Sequence, residues 1–229
     1  MKIFKNLSDD QHSSIEQKAQ QLTSGLVNQT DKLERIFLFV RDEILFGFPS
    51  KWDAVKASET LVFKKGYCNT KATLMVALCK AAGIPARIHT GLIDINIMRG
   101  LFPSFVFLFL PAAGGHSWVE VKMDNHWLPI DSYINDKVFY THALQKLEES
   151  GKSSAYSISH AKGISSCEFN FGEKGFVHMG AVVEDQGVWD DFSDYMSSDK
   201  YNGMNRLQST MFPAIARISN QRINKIREM

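Results

Sequence analysis

Residues 64–87 read KKGYCNTKATLMVALCKAAGIPAR, and this stretch decides which fold the sequence predicts. The run ATLMVALC at 72–79 has a single polar residue, so it predicts a helix that is apolar nearly all round and therefore buried. Gly83 and Pro85 form a strong helix-stop signal. Cys68 stands before the apolar run, at the N-terminal edge of this helix, whereas a packing cysteine would be expected inside the run.

The position of Cys68 suits a nucleophile. A helix N-terminus presents free backbone N–H groups and a partial positive charge, which stabilise a thiolate and lower the pKa of the thiol. The same N–H groups can hold the oxyanion of a tetrahedral intermediate. Gly66, two residues earlier, lets the backbone and a substrate approach closely. The alternative is that Cys68 is a small apolar residue at a loop–helix junction.

Two strands are predicted downstream, at 116–123 and 126–132, joined by a two-residue turn at Asp124-Asn125. The register that this turn sets places apolar residues together on one face: Val119 opposite Ile130, and Val121 opposite Leu128. A four-residue loop would give the same pairing, whereas a three-residue loop would break it. The register therefore determines which side chains share the other face of the hairpin.

That other face carries a candidate base and a candidate orienting group for the cysteine. A nucleophilic cysteine needs a base, usually a histidine, that is itself oriented by a third group. His116 and Asp131 are diagonal neighbours with Cβ atoms roughly 7 Å apart, so we expect Asp131 to hydrogen-bond the imidazole of His116. His126 falls on the apolar face, and His89 is the main rival, although this register places no carboxylate beside it. The remaining histidines are interpreted as surface or hydrogen-bonded residues: His12, His142, His160 and His178.

The other elements are predicted from periodicity and from start and stop signals. Helices are expected at 9–24, at 31–45, at 58–64, at 141–149 with Thr141 as its cap, and at 213–228 with Pro213 in its first turn. Strands are expected at 86–95 and 105–110. The acidic stretch 184–199 is interpreted as a solvated face, with a metal site as the less favoured alternative.

Residues 101–113 read LFPSFVFLFLPAA and form the most apolar stretch of the chain. The stretch is too short to span a bilayer. The favoured interpretation is a buried core strand. The alternative is an apolar lid over the cleft, or a docking surface for a partner.

Composition and charge limit the class of protein. Of the 229 residues, 44% are hydrophobic and 22% are charged, which is ordinary for a globular protein. A net charge of +1 offers no field that would attract nucleic acid or an anionic membrane. Three cysteines argue against a disulfide framework, and the first residues lack the apolar segment of a signal peptide. We therefore expect a cytoplasmic protein without a membrane span or a nucleic-acid partner, with signal-independent export as the alternative.

The quoted stretch, followed by GGHSWVEVKMDNHWLPIDS at 114–132, resembles the transglutaminase-like superfamily of papain-type cysteine enzymes, in its bacterial form. The shared pattern is a Cys that opens a helix ending in G-I-P-A-R, a His in H-x-W-x-E-V, and an Asp at the end of the next strand. The resemblance covers roughly residues 35–135. It implies that Cys68 is the nucleophile, His116 the base and Asp131 the orienting residue.

The resemblance also implies a fold and a reaction class. The fold is a papain-like α+β fold, in which helices come first and a central helix with the N-terminal cysteine packs on an antiparallel sheet. We expect residues 1–140 to form this core and residues 141–229 to form an extension packed on the same domain. The reaction is acyl transfer from an amide of a protein or peptide through a thioester, by hydrolysis, deamidation or transamidation. The alternative is a catalytically silent interaction module. Calcium serves the animal cross-linking enzymes, but no EF-hand-like spacing occurs here, so no cofactor or metal is expected.

Overall fold

The structure is a computed structural model that describes residues 9–160, 165–169 and 176–229, with side chains from residue 14 onward. Helices form the N-terminal part, and a buried helix packs on an antiparallel sheet. The α+β class that the sequence predicts is confirmed.

The first two helices precede the sheet. Helix α1 spans Asp9–Thr23, and α2 spans Gln29–Leu38 before it continues as one π-helical turn, Phe39–Glu43. Asn28 begins α2, because its side chain accepts the N–H of Thr30 at 2.8 Å. The buried positions of α2 recur at helical spacing, which is why the sequence predicted this helix: Leu33, Ile36 and Phe37.

Two short parallel strands and a short helix lead into the central helix. Strand β1 spans Leu45–Phe46, α3 spans Ala57–Phe63, and β2 spans Lys65–Gly66, which pairs with β1. A Cβ atom on Gly66 would lie 2.6 Å from Oγ1 of Thr70, so this glycine lets the chain approach the first turn of the next helix.

Helix α4 spans Cys68–Ala81 and packs against the sheet. It is buried around most of its circumference, as its apolar composition predicts. Gly83 lies just beyond its end with φ of +78°, the left-handed conformation that glycine adopts without strain.

The main sheet has four antiparallel strands in the order β5-β4-β3-β8. Their bounds are β3 Ala86–Asp94, β4 Ala113–Met123, β5 His126–Ile130 and β8 Val182–Trp189. The predicted hairpin register is confirmed, because Val119 pairs with Ile130 and Val121 pairs with Leu128. The turn residues Asp124 and Asn125 both have positive φ, as a two-residue turn between antiparallel strands requires.

The predicted strand at 105–110 is wrong. Strands β3 and β4 pair until Asp94 faces Ala113, so the chain between them is a connection outside the sheet. This connection forms 3-10 turns at Ile95–Met98 and Ser104–Leu108, and Leu108 is 80% exposed. Pro103 and Pro111 flank the apolar run, and proline cannot donate a ladder hydrogen bond. The role of residues 101–113 as a lid or docking surface stays a prediction.

Beyond the sheet's hairpin, the helix starts differ from those predicted. Helix α5 spans Lys137–Glu149 and begins at Asp136, which accepts the N–H of Phe139 at 3.0 Å, so Thr141 is not its cap. A two-stranded hairpin follows, with β6 at Ser154–Ala155 and β7 at Ile158–Ser159.

The last elements also depart from the predicted ones. The acidic residues of the stretch 184–199 are all exposed, which agrees with its interpretation as a solvated face, but most of β8 and all of α6, Phe192–Met196, lie in it. Helix α7 spans Arg206–Arg227 and begins at Asn205, which accepts the N–H of Gln208 at 2.9 Å. Pro213 therefore lies inside α7 and not in its first turn. The division of the chain at residue 140 stays a prediction.

The described residues contain neither a membrane-spanning helix nor a cluster of metal-binding side chains. Within the ranges given above, no helix is long and apolar enough to cross a membrane. Nor do three or more His, Cys, Asp or Glu side chains in those ranges form a group that could hold a metal ion.

Candidate active site

Cys68 is the first residue of α4 and is 4% exposed. Burial raises the pKa of its thiol to about 12, although backbone hydrogen bonds from Ser117, Asn69 and Cys68 itself lower it. The nearby charge of Asp53 adds to the increase. The expectation of a lowered thiol pKa is therefore wrong for this conformation, because desolvation outweighs the N–H groups at the start of the helix.

Asn69 connects the thiol to two other parts of the fold. Its Oδ1 accepts hydrogen bonds from Sγ of Cys68 at 3.4 Å and from Oγ of Ser117, on β4, at 2.9 Å. Its Nδ2 donates to Oδ1 of Asp53 at 2.7 Å. The start of α4 is thus tied to the strand that carries His116 and to a buried carboxyl group.

Asp53 is that carboxyl group, and no sequence pattern marks it as part of the site. It is buried in a 3-10 turn, Trp52–Ala54, and also accepts hydrogen bonds from the hydroxyls of Tyr67 and Tyr201. Burial raises its pKa, and the hydrogen bonds from Tyr67, Asn69 and Tyr201 lower it. No periodicity marks this turn, and Tyr201 comes from the far end of the chain.

His116 lies on β4 opposite Gly91 and is 1% exposed. Its Nε2 has no hydrogen-bond partner among the described residues. Burial lowers the pKa of His116 well below its usual range, and the neighbouring His178 lowers it further. No hydrogen bond joins Cys68 to His116 in the described part of the chain, but the backbone of Ser117, the next residue, hydrogen-bonds the sulfur.

Asp131 directly follows β5 and is fully buried. Its carboxylate accepts three backbone N–H groups, from Val177 at 2.8 Å, His178 at 2.7 Å and Met179 at 3.0 Å. Burial raises its pKa to about 7, against the lowering effect of these three bonds. Within the described ranges no hydrogen bond joins Asp131 to His116, so the expected Asp–His bond is not formed here.

His178 is a buried histidine beside His116, and its bonds to Ser157 agree with the interpretation of a surface or hydrogen-bonded residue. The two imidazole rings meet edge to face, with centroids 5.1 Å apart. Nε2 of His178 lies 2.6 Å from Oγ and 2.8 Å from the carbonyl oxygen of Ser157. Burial lowers the pKa of His178 to about 3. Its sequence context, a loop distant from the hairpin, gave no signal.

His89 has two carboxylates beside it, although the predicted hairpin register placed none there. Nδ1 lies 2.7 Å from Oε1 of Glu120, and Nε2 lies 2.9 Å from Asp185. Burial lowers the pKa of His89, but the bonds to Glu120 and Asp185 outweigh this and raise it. Asp185 comes from β8, the strand that the sequence did not predict.

Two of the other histidines hydrogen-bond backbone carbonyl groups and not the thiol. Nδ1 of His126 bonds the carbonyl of Asp124, and Nδ1 of His142 bonds the carbonyl of Ile226. The side chain of His12 lies outside the described residues.

The arrangement places a buried thiol beside backbone N–H groups from two elements, the start of α4 and strand β4. Such N–H groups can hold the negative oxygen that forms when a thiol adds to a carbonyl. A buried neutral imidazole lies one residue along β4 from one of these N–H groups. These are the parts that acyl transfer through a thioester requires.

Three of the solved structures that match this chain are similar to it at low identity. A candidate cysteine protease from Cytophaga hutchinsonii is 20% identical, with a TM-score of 0.42, over 55% of this chain and 43% of that one. A candidate protease from Parabacteroides distasonis is 17% identical, with a TM-score of 0.36, over 53% of this chain and 23% of that one. A TGase is 13% identical, with a TM-score of 0.37, over 59% of this chain and 35% of that one. The chain thus spans less than half the length of each.

Comparison with curated proteins gave no match. The sequence profile of the Transglutaminase-like superfamily matches residues 16–132, which include α4, β3, β4 and β5. This range includes Cys68, His116 and Asp131, on which the resemblance was based. Because the profile matches just over half of the chain, the protein belongs to the Transglutaminase-like superfamily.

Proposed function

We propose that the protein transfers acyl groups from amides of proteins or peptides through a thioester on Cys68, without a cofactor. The observation that carries the proposal is the set of backbone N–H groups around the sulfur, from Asn69 and from Ser117. A packing cysteine such as Cys79, whose thiol pKa is shifted by burial alone, has no such donors among the causes of its shift.

In the proposed reaction, Sγ of Cys68 attacks the carbonyl carbon of the amide, and His116 takes the thiol proton. The oxygen becomes negative and is held by the backbone N–H groups. When the C–N bond breaks, His116 returns the proton to the leaving amine, and the thioester remains. Water or a primary amine then attacks the thioester, again losing its proton to His116, and Cys68 leaves as the thiol.

Thiol and imidazole are both neutral in this conformation, since burial raises the pKa of Cys68 and lowers that of His116. His116 therefore acts as a general base while the S–C bond forms, instead of standing beside a preformed thiolate. Hydrolysis and transamidation share the thioester and differ in which nucleophile reaches it. We favour hydrolysis, because the sequence identifies no acidic pocket for an amine.

A catalytically silent interaction module is the second candidate, and two observations favour it. Cys68 is 4% exposed, so a substrate reaches the sulfur only if a neighbouring segment moves. The thiol donates to Asn69 and has no hydrogen bond to His116 among the described residues.

A peptide library that contains glutamine separates these candidates. The protein is incubated with the library, with and without a primary amine, and peptide masses are measured. A gain of about 1 Da indicates deamidation, amine incorporation indicates transamidation, and shorter peptides indicate hydrolysis of the chain. Cys68→Ala should abolish the change and Cys79→Ala should retain it. No change with any peptide would support the silent module.

A further inference from the structure

We propose that His178 is a positioning residue of this site, which accepts a hydrogen bond at Nδ1 from the Nε2–H of His116 and so fixes the tautomer of the base. The inference rests on the proposed function, because it gives a role to His178 only if His116 is the base. It differs from the expectation that Asp131 orients His116 directly.

Two unpaired nitrogen atoms in contacting rings are the starting observation. Nε2 of His116 and Nδ1 of His178 are both buried, and neither has a hydrogen-bond partner within the described ranges. The ring centroids are 5.1 Å apart and the ring planes meet at 61°. Buried polar atoms are almost always paired. A small ring rotation, or one shared water, would pair these two nitrogens with each other.

The contacts of His178 determine its tautomer. Its Nε2 lies 2.8 Å from the carbonyl oxygen of Ser157, which can only accept, so Nε2 carries the hydrogen. The hydroxyl of Ser157 donates its own hydrogen to Oδ1 of Asn135 at 3.1 Å, which leaves Oγ free to accept from Nε2 as well. Nδ1 of His178 is therefore a bare acceptor.

This tautomer determines that of His116. A bare acceptor at Nδ1 of His178 favours a hydrogen on Nε2 of His116. The remaining nitrogen of His116, Nδ1, is then the basic one, and it is the atom that can take the thiol proton. When His116 becomes an imidazolium, its Nε2–H keeps the same acceptor.

The surroundings hold His178 firmly in this place. Asp131 accepts the N–H groups of residues 177–179 and so fixes the backbone on which the imidazole stands. Ser157 is in the turn between β6 and β7 with φ of +62°, and Nδ2 of Asn135 donates to its carbonyl oxygen at 2.7 Å. Asp131 thus acts on His116 indirectly, because it holds the backbone of residues 177–179 and so the imidazole of His178.

Two substitutions at the same position separate positioning from structural support. His178→Gln keeps a donor where Nε2 bonds Ser157 and removes the acceptor at Nδ1. His178→Asn keeps a polar atom near Nδ1 and removes the bond to Ser157. We expect the Gln variant to keep the melting temperature and KM of the wild type. Its acylation rate should fall roughly 10- to 100-fold, which is less than the loss of roughly 10²- to 10⁴-fold expected when the base itself is removed. We expect the Asn variant to lose melting temperature and to keep more of the rate.

Nitrogen NMR of labelled histidine gives a readout that does not depend on activity. The wild-type spectrum should show His116 with its hydrogen on Nε2, and His178→Gln should show a mixture of tautomers. An unchanged tautomer together with a wild-type rate in His178→Gln would overturn the inference and leave the proposed function intact. If Cys68 of the wild-type protein is not acylated by any substrate, the proposed function is contradicted. The NMR result would still show whether His116 and His178 are hydrogen-bonded.

Discussion

Two histidines of the main sheet lie on either side of Trp118 and have opposite surroundings. The ring of His89 stacks on Trp118 with centroids 4.2 Å apart, and the ring of His116 lies 5.9 Å from it. Both nitrogens of His89 bond carboxylates, whereas Nε2 of His116 is unpaired in the part of the chain that the structure describes. The pKa of His89 is raised, and that of His116 is lowered.

A carboxylate beside a histidine therefore does not by itself identify a base. His89, on β3, bonds Glu120 on β4 and Asp185 on β8, so it ties three strands together. A histidine with both nitrogens occupied has none free for a substrate proton. His116 has a free nitrogen and stands next to the residue whose N–H reaches the sulfur. Its unpaired nitrogen and its place in β4 next to Ser117 make it the candidate base.

The largest expected effect separates the two histidines by activity. His116→Ala should lower the acylation rate by roughly 10²- to 10⁴-fold, because it removes the general base. His89→Ala should change this rate by less than about tenfold. Single-turnover acylation of Cys68 measures both. A silent His116→Ala beside an inactive His89→Ala would reverse the assignment.

The second effect concerns Asp131, whose carboxylate bonds the backbone that carries His178. Asp131→Asn places an amide nitrogen where a carboxylate oxygen accepts a buried backbone N–H, which should cost about 1–3 kcal/mol of unfolding free energy. We also expect a lower acylation rate, since the turn that carries His178 loosens. Urea unfolding and the acylation assay measure the two changes, with the exposed Asp199→Asn as the matched control. Full stability in Asp131→Asn would show that the three N–H bonds are not important.

The third effect tests the pairing of His89 by pH. Its folded pKa is raised above the unfolded value, so its contribution to stability is complete below the unfolded pKa and is lost as pH rises through the folded pKa. His89→Gln should therefore destabilise the protein by about 1 kcal/mol more at pH 5.5 than at pH 9. Melting temperatures at the two pH values check this. An equal loss at both would mean that His89 is not protonated at pH 5.5.

The smallest effect concerns Asp53, the buried carboxyl group that Asn69 bonds. The charge of Asp53 raises the pKa of Cys68, so Asp53→Asn should lower that pKa and speed alkylation by iodoacetamide about two- to fivefold at pH 8. The side-chain oxygen of Asn can still accept from Asn69 and Tyr67, which both bond Oδ1 of Asp53, and its amide nitrogen can donate to the hydroxyl oxygen of Tyr201. Peptide mapping should show the increase at Cys68 and none at Cys79. A slower reaction at Cys68 would indicate that the substitution disrupts the start of α4.

The sequence predicted the local parts of this site and missed the distant ones. The register of β4 and β5 was predictable because alternation of apolar residues and a two-residue turn both lie within one short segment. The helix that begins at Cys68 was predictable because its apolar run and its stop signal at Gly83 and Pro85 also lie within one short segment. His178 could not be predicted as part of the site, because it lies in a segment with weak periodicity far along the chain. The bond between Asp185 and His89 could not be predicted for the same reason.

The apolar stretch before β4 shows a different limit. Its composition suits a buried strand, yet Phe105, Leu108 and Phe109 are exposed, because the flanking strands pair without it. The Asp131–His116 contact was expected from diagonal spacing alone. Spacing along the strands predicts where Cβ atoms lie, but it does not predict which donors the carboxylate finds. Asp131 bonds the N–H groups of residues 177–179, and the local sequence does not show that these groups lie beside it.

A burst experiment with an activated ester tests the central claim, that Cys68 forms an acyl thioester. The protein is mixed with excess p-nitrophenyl ester of a short peptide, and nitrophenolate is followed in time while the acylated peptide is located by mass spectrometry. We expect a burst close to one equivalent, with the acyl group on Cys68. The burst should be retained in Cys79→Ala and lost in Cys68→Ala. A burst that survives Cys68→Ala, or an acyl group found on Cys167, would contradict the claim.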